Sequence, residues 1–216
     1  MTRAQLRANV RSNLYDAGVT FYDDDAINQS LQDGYNEVAA KCRCITKSAA
    51  VQQLANQPYY DFLNVSGVTD YLGTVAIYNA DTLFWLRDDV SIRDFDRIRR
   101  DWETWTGEPQ FWAPHSQQYI AVCPVLAAVI TGVNLFTLWY WAQAPSFAAQ
   151  ESPDSTAPLI ATDMQPLLEW YATGDLLEDA QEVTKAQDWW QRFEADKIKY
   201  RERCINLAKA QLLLRV

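Results

Sequence analysis

The fold turns on PVLAAVITGVNLFTLWYWA, residues 124–142. It lies in a longer run, 109–150, that contains no Lys, Arg, Asp or Glu. Nineteen residues is about the length a membrane-spanning helix needs, and Trp139, Tyr140 and Trp141 could then form an interfacial aromatic belt. Against this, Thr131, Gly132, Asn134 and Thr137 interrupt the apolar run and no basic cluster flanks it. The second half, VNLFTLWYW, is built of strand formers. The stretch therefore reads as a buried or interface strand, and no membrane association is expected.

Upstream the same character continues. Pro58, Gly67, Gly73, Gly107, Pro109, Pro114 and Pro124 separate the short runs YYDFLNV, YLGTVAIYN, TLFWLRD, PQFWA and QYIAVC. Short apolar and aromatic runs between turn residues are strand signals. SIRDFDRIRRDW (91–102) differs, because Ile92, Phe95, Ile98 and Trp102 keep helical spacing behind a Ser91 cap with Asp94 three residues on. Residues 58–142 are thus expected to form a β-rich insertion of antiparallel hairpins, with one short helix at 91–104.

Both ends read as helix. Thr2 and Gln5 fit a capping box ahead of Leu6, Val10, Leu14 and Ala17, with Gly18 as the C-cap. Asp23–Asp25 caps a second helix whose stripe is Ile27, Leu31, Tyr35, Val38, Cys42 and Ile45. After an exposed crossing loop at 143–162, helix returns at Thr162–Asp163 with Leu167, Trp170 and Tyr171, and is interrupted at Gly174. Asp175 and Glu178 suggest a new capping box into a helix of about 35–40 residues, longer than a compact body requires. That helix carries Val183, Ala186, Trp190, Phe193, Tyr200, Cys204, Ala208 and Leu212. The expected fold class is α+β. An antiparallel helix bundle from the N- and C-terminal helices (1–57 and 143–216) would hold the central antiparallel β-rich insertion and project a long C-terminal helix.

Composition narrows the function. The 216 residues carry a net charge of −9, which argues against a protein that grips nucleic-acid phosphates. The segment from Gln181 onward holds eight basic and five acidic residues, so it is locally positive on an acidic chain. MTRAQLRANVRSN has no apolar h-region, and no secretory leader is expected from it. The four cysteines are Cys42, Cys44, Cys123 and Cys204; the C-x-C spacing of the first two suits neither a redox motif nor a zinc knuckle. His115 and Cys123 raise the question of nucleophilic chemistry. Cys123, however, sits in an alternating strand pattern without a cationic neighbour, and His115 lies in the turn-like Pro114–Ser116. The acidic residues fall at helix caps and on helix faces, and no phosphate-loop, dinucleotide, nucleophile-elbow or zincin string occurs. No catalytic residue, metal site or cofactor is expected.

What remains is surface for contact. Arg93, Arg97, Arg99 and Arg100 alternate with Asp94, Asp96 and Asp101, a pattern suited to ion pairing between subunits. Nine Trp and eleven Tyr exceed what a small β region needs for its core. Trp85, Arg97, Arg100, Trp105, Phe111, Trp112, Trp139 and Trp141 are accordingly expected at a subunit or tail interface.

The order of the pieces carries a resemblance. It begins with D-D-x-I-N-x-x-L (Asp24, Asp25, Ile27, Asn28, Leu31) in a helical hairpin, followed by Y-D-F-L (Tyr60–Leu63). A G-x-P-x-[FY]-[WY] turn (Gly107, Pro109, Phe111, Trp112), then I-x-V-x-P (Ile120, Val122, Pro124), come next. A strand running into A-P and two helices with a charged tail complete the series. This order resembles the head-to-tail adaptor (connector) proteins of tailed bacteriophages, particularly the short-tailed type. The resemblance implies a structural protein of the virion neck, between capsid vertex and tail and assembled in the host cytoplasm, not an enzyme. It implies a homo-oligomeric ring, typically dodecameric, under the portal protein. Such a ring extends the DNA channel without binding viral DNA specifically, and docks a tail nozzle or tail tube protein. It also implies portal docking through the C-terminal helix, at Arg203, Lys209, Leu212, Leu213, Leu214, Arg215 and Val216. A tail-tube or nozzle-base component, and a phage cell-wall hydrolase or glycan-binding domain, stand as alternatives.

Overall fold

The computed structural model describes residues 1–16, 21–62, 68–116, 119–128, 135–146 and 154–213, the backbone alone at 208, 209 and 211–213. The chain mixes helices with two antiparallel sheets, an α+β composition. It divides into two compact units, Met1–Ile45 with Gln143–Leu207, and Thr46–Ala142 with Ala208–Val216.

The helical unit opens with α1 (Arg3–Asn13), started by the Thr2–Gln5 capping box that the spacing predicts. The Arg3 and Ala4 N–H groups donate to the Thr156 and Asp154 carbonyls at 2.8 and 3.2 Å. The crossing segment expected to be an exposed loop is therefore tied down over 154–160. Asp154 also pairs with Arg3 and Arg7, the Leu159 N–H donates to the Tyr35 hydroxyl at 2.7 Å, and Ile160 is buried. Helix α2 (Asp24–Cys42) starts at Asp23, whose carboxylate accepts the Ala26 N–H at 2.7 Å. Its stripe Ile27, Leu31, Tyr35, Val38 and Cys42 is wholly buried. Arg43, with φ 53°, ends it, so Ile45 is buried from beyond the helix.

Helix α4 (Pro166–Asp179) follows a 3-10 turn at Thr162–Met164 and packs on α2 and α1. Gly174 lies inside α4 and does not interrupt it. It is there for space: a Cβ at Gly174 would come within 3.1 Å of the Trp190 ring, and one at Gly34 within 3.0 Å of Tyr171. Those notches admit a cluster in which Tyr171 meets Trp190 and Phe193 edge-on, at 5.0 and 5.4 Å between centroids. The break falls instead at Ala180–Gln181, where Gln181 has φ 63°. Asp175 accepts the Ser30 hydroxyl at 2.7 Å and starts no helix. The last helix, α5 (Val183–Leu213), is thus 31 residues long, about 46 Å at 1.5 Å per residue and shorter than expected.

The β unit has a four-stranded sheet ordered β1-β7-β3-β4 and a three-stranded one ordered β2-β6-β5. The members are β1 (Thr46–Gln52), β2 (Tyr59–Asp61), β3 (Tyr71–Asn79), β4 (Phe84–Trp85), β5 (Phe111–Pro114), β6 (Tyr119–Cys123) and β7 (Leu135–Ala142). The decisive apolar run thus supplies a central strand: β7 pairs with β1 on one side and β3 on the other, burying Phe136, Leu138 and Tyr140. Residues 129–134 of that run lie outside the described residues. Among the described residues no helix is long and apolar enough to cross a membrane. Strand β1 falls where the helical region was expected to extend to residue 57. Its sequence TKSAAVQ is small and polar because it is an edge strand with one fully buried side chain, Val51.

The helix expected over 91–104 is shorter. Helix α3 is Ile92–Ile98, Arg99 is extended (φ −160°, ψ 124°), and Trp102–Thr104 forms a separate 3-10 turn. The break still lets Phe95 and Trp102 pack together, ring centroids 5.0 Å apart.

Candidate interaction surfaces

The β5–β6 hairpin shows how ring and backbone are matched. Ala113 pairs with Ala121, and these small side chains share a buried cluster with Phe95, Trp102 and Cys123. Tyr59, Trp105 and Phe111 close the cluster from its partly exposed edge.

His115 and Cys123 belong to opposite ends of this hairpin. Cys123 is level with Phe111 and Pro114 with Ile120, which puts about 13 Å of strand between His115 and Cys123. His115 is exposed at the turn, its N–H bonded to the Tyr119 carbonyl at 2.9 Å and its ring 4.9 Å from that of Tyr59. Burial pushes the Cys123 thiol up to about 11. An imidazole and a thiol so separated do not form a nucleophile–base pair.

The residues expected at an interface divide by exposure. Trp112 and Trp141 are buried within the β unit; the Trp112 indole N–H meets no acceptor among the described residues, and Trp141 packs 3.5 Å from the position a Gly73 Cβ would take. Trp85, Trp105, Phe111 and Trp139 are half-buried. Arg97 and Arg100 are exposed; Arg97 reaches Asp94 at 3.2 Å. Two neighbouring arginines lie over half-buried rings, Arg87 above Phe111 at 5.3 Å and Arg99 above Trp105 at 5.4 Å. Each is held by a carboxylate, Asp89 and Asp101 respectively, and those hydrogen bonds keep both carboxyls below the usual range. An arginine held over a ring and steered by an aspartate is a preordered contact element.

On α5, Arg203 pairs with Asp163 and the Tyr200 hydroxyl donates to the Asp163 carbonyl at 2.8 Å. Arg203 is thereby tied to its own unit. Lys209, Leu212 and Leu213 lie on the α5 backbone, while Leu214, Arg215 and Val216 fall outside the described residues. Ile198 and Leu207 leave α5 as exposed apolar side chains.

Two surfaces escape the sequence pattern. In the helical unit a groove of about 1120 Å³ opens between the end of α1, the α4–α5 turn and the start of α5, lined by Leu14, Tyr15, Phe21, Leu177, Trp189 and Arg192 among others. Tyr15 and Phe21 on its rim are 96% and 85% exposed. In the β unit, the turn between β3 and β4 presents exposed Leu83 and Phe84. The available signal at α1 is a tyrosine placed where a helix end calls for glycine.

Set against protein families, residues 1–209 match the model of the SU10 adaptor protein family. The match spans nearly the whole chain, and the chain belongs to that family. No curated protein matches it significantly.

Proposed function

We propose that this member of the SU10 adaptor family is a structural neck protein of a tailed phage. It forms a ring under the portal, docks the tail nozzle or tail tube and extends the channel through which DNA leaves. The observation that carries this reading is a family match over residues 1–209, from the first helix into α5. Charge supports it: a chain at −9 repels phosphate, so DNA can pass a ring of such subunits without specific binding. In this reading the end of α5, with Lys209, Leu212, Leu213, Leu214, Arg215 and Val216, inserts against the portal, and Arg203 leaves Asp163 to join it. Trp85, Trp105, Phe111 and Trp139, with Arg97 and Arg100, serve lateral or tail contacts of a heterologous, closed ring of twelve-fold type. Trp112 and Trp141 support that surface from beneath.

Electron microscopy of the purified chain mixed with its portal protein tests the proposal. Rings capping the portal are expected; portal particles without added density, at concentrations where both proteins are in excess, would refute it.

A further inference from the structure

Gln53 and Asn79 are side-chain amides of the β unit that bulk water does not reach, both 0% exposed. Gln53 follows the last residue of β1, and Asn79 is the last residue of β3. Strand β7 lies between them, with its Leu135 level with Gln52 and its Phe136 level with Asn79. The Gln53 Nε2 donates to the Asn79 Oδ1 at 3.4 Å. One flank of the central strand thus reaches the other where β7 begins.

Which way each amide points follows from a single backbone donor. The Asp81 N–H donates to the Asn79 Oδ1 at 3.1 Å. Turned end for end, Asn79 would set its NH2 group against that N–H, two donors with no acceptor between them. With the Asn79 oxygen so fixed, Gln53 has to present its own NH2 to it. Two atoms are then left over. Gln53 Oε1, an acceptor, and Asn79 Nδ2, a donor, meet no hydrogen-bond partner among the described residues. The Thr82 Oγ1, in the same turn as Asp81, is a third such atom.

Two facing amides can close two bonds, nitrogen to oxygen on each side, at about 2.9–3.0 Å. Here one bond is stretched to 3.4 Å and the other is unmade. A buried acceptor beside a buried donor calls for a group that donates to the first and accepts from the second. A cation would suit Gln53 Oε1 but not Asn79 Nδ2, and an anion the reverse. Water suits both, and a buried water makes about three such bonds. We propose that a single internal water closes this second leg, donating to Gln53 Oε1 and accepting from Asn79 Nδ2, with the Thr82 hydroxyl as its third partner. The water joins the end of β1 to the end of β3 across β7. It also seats the β3–β4 turn, which hangs on Asn79 through the Asp81 N–H and through the Leu83 N–H at 2.9 Å from the Asn79 carbonyl. This site belongs to the interior of each subunit and does not depend on the ring-forming reading.

Two measurements on the full chain test it. A crystal structure refined finely enough to place single waters is expected to show one about 2.7–3.2 Å from both Gln53 Oε1 and Asn79 Nδ2. Direct contact between those two atoms, another side chain bonded to either, or a dry contact overturns the proposal. Oxygen-17 relaxation dispersion then counts long-lived waters in solution. Gln53→Met combined with Thr82→Val keeps the side-chain volumes and leaves Asn79 Nδ2 as the one polar atom of the three. The count is expected to fall by about one water relative to the wild type. An unchanged count in the folded variant overturns the proposal, and should the variant not fold, the wild-type crystal structure decides alone.

Discussion

In the helical unit a large ring is given room by a missing side chain: Tyr171 sits over Gly34 and Trp190 over Gly174, each close enough that an added methyl group, at 3.0 and 3.1 Å, would push the ring aside. In the β unit the room comes from pairing small with small, as Ala113 opposite Ala121 leaves a hollow for Phe95 and Trp102. The helical solution is a notch fitted to one ring. The β solution is a smooth floor that tolerates several, and Gly73, whose Cβ would lie at an ordinary 3.5 Å from Trp141, is not under the same constraint. Helices meet along narrow ridges, so a single Cβ decides how closely they approach, whereas a strand pair spreads its contacts over a face.

Removing a central ring from either unit should produce the largest effect. Phe193→Ala and Phe136→Ala, both fully buried, are each expected to cost about 3–5 kcal/mol. Amide hydrogen exchange would separate them: the first loosens α4 and α5, the second β1, β3 and β7. Equal loosening everywhere would break the comparison. Filling the notches comes next. Gly34→Val and Gly174→Val should lose about 1–3 kcal/mol by overpacking, whereas Gly73→Ala should be neutral or gain up to about 1 kcal/mol. Denaturant midpoints decide it, and a tolerated valine at Gly174 would mean the notch is not tight.

The smallest effect concerns Glu169, buried in the helical unit with the Asn9 side chain donating at 2.7 Å. Burial raises its carboxyl above the ordinary glutamate range. The folded state thus favours the neutral form, and its contribution is full at acid pH and fades as pH rises through the raised value. Glu169→Gln keeps the acceptor for Asn9 and stays neutral. The Tm of the wild type should fall relative to that of the variant as pH rises. A difference that does not change with pH would show that the carboxyl titrates alike in the folded and unfolded chain, without the raised value.

Much of the helical unit was legible. Thr2 with Gln5, Asp23 and the Ile27–Cys42 stripe each announce a cap or a face through local chemistry that the fold then uses. The errors came where a residue served a distant partner. Gly174 looks like a breaker but clears space for Trp190, which follows it in another helix. Thr46–Gln52 has no strand pattern of its own and becomes one because β7 offers an edge. Gly18 looks like the C-cap of α1, yet α1 ends earlier with Tyr15 in the left-handed position, and Gly18 lies outside the described residues. Of the expected contact residues, Trp112 and Trp141 proved internal, since tryptophan serves cores and interfaces equally well and only the register on β5 and β7 separates the two. The Tyr15 groove was invisible because its walls come from three separate stretches of chain.

The bonds from the Arg3 and Ala4 N–H groups to Thr156 and Asp154 also bear on the timing of synthesis. The run 46–142 leaves the ribosome as one piece holding the seven strands found among the described residues. The first helix cannot make these two bonds until the chain has grown past residue 156, on the order of ten seconds later at ordinary elongation rates. During that interval α1 and α2 have only each other, with Leu6, Val10, Ile27 and Leu31 still uncovered by α4. The α1–α2 pair is therefore exposed to misassociation until α4 is made, and slowing elongation across 143–166 would lengthen that exposure.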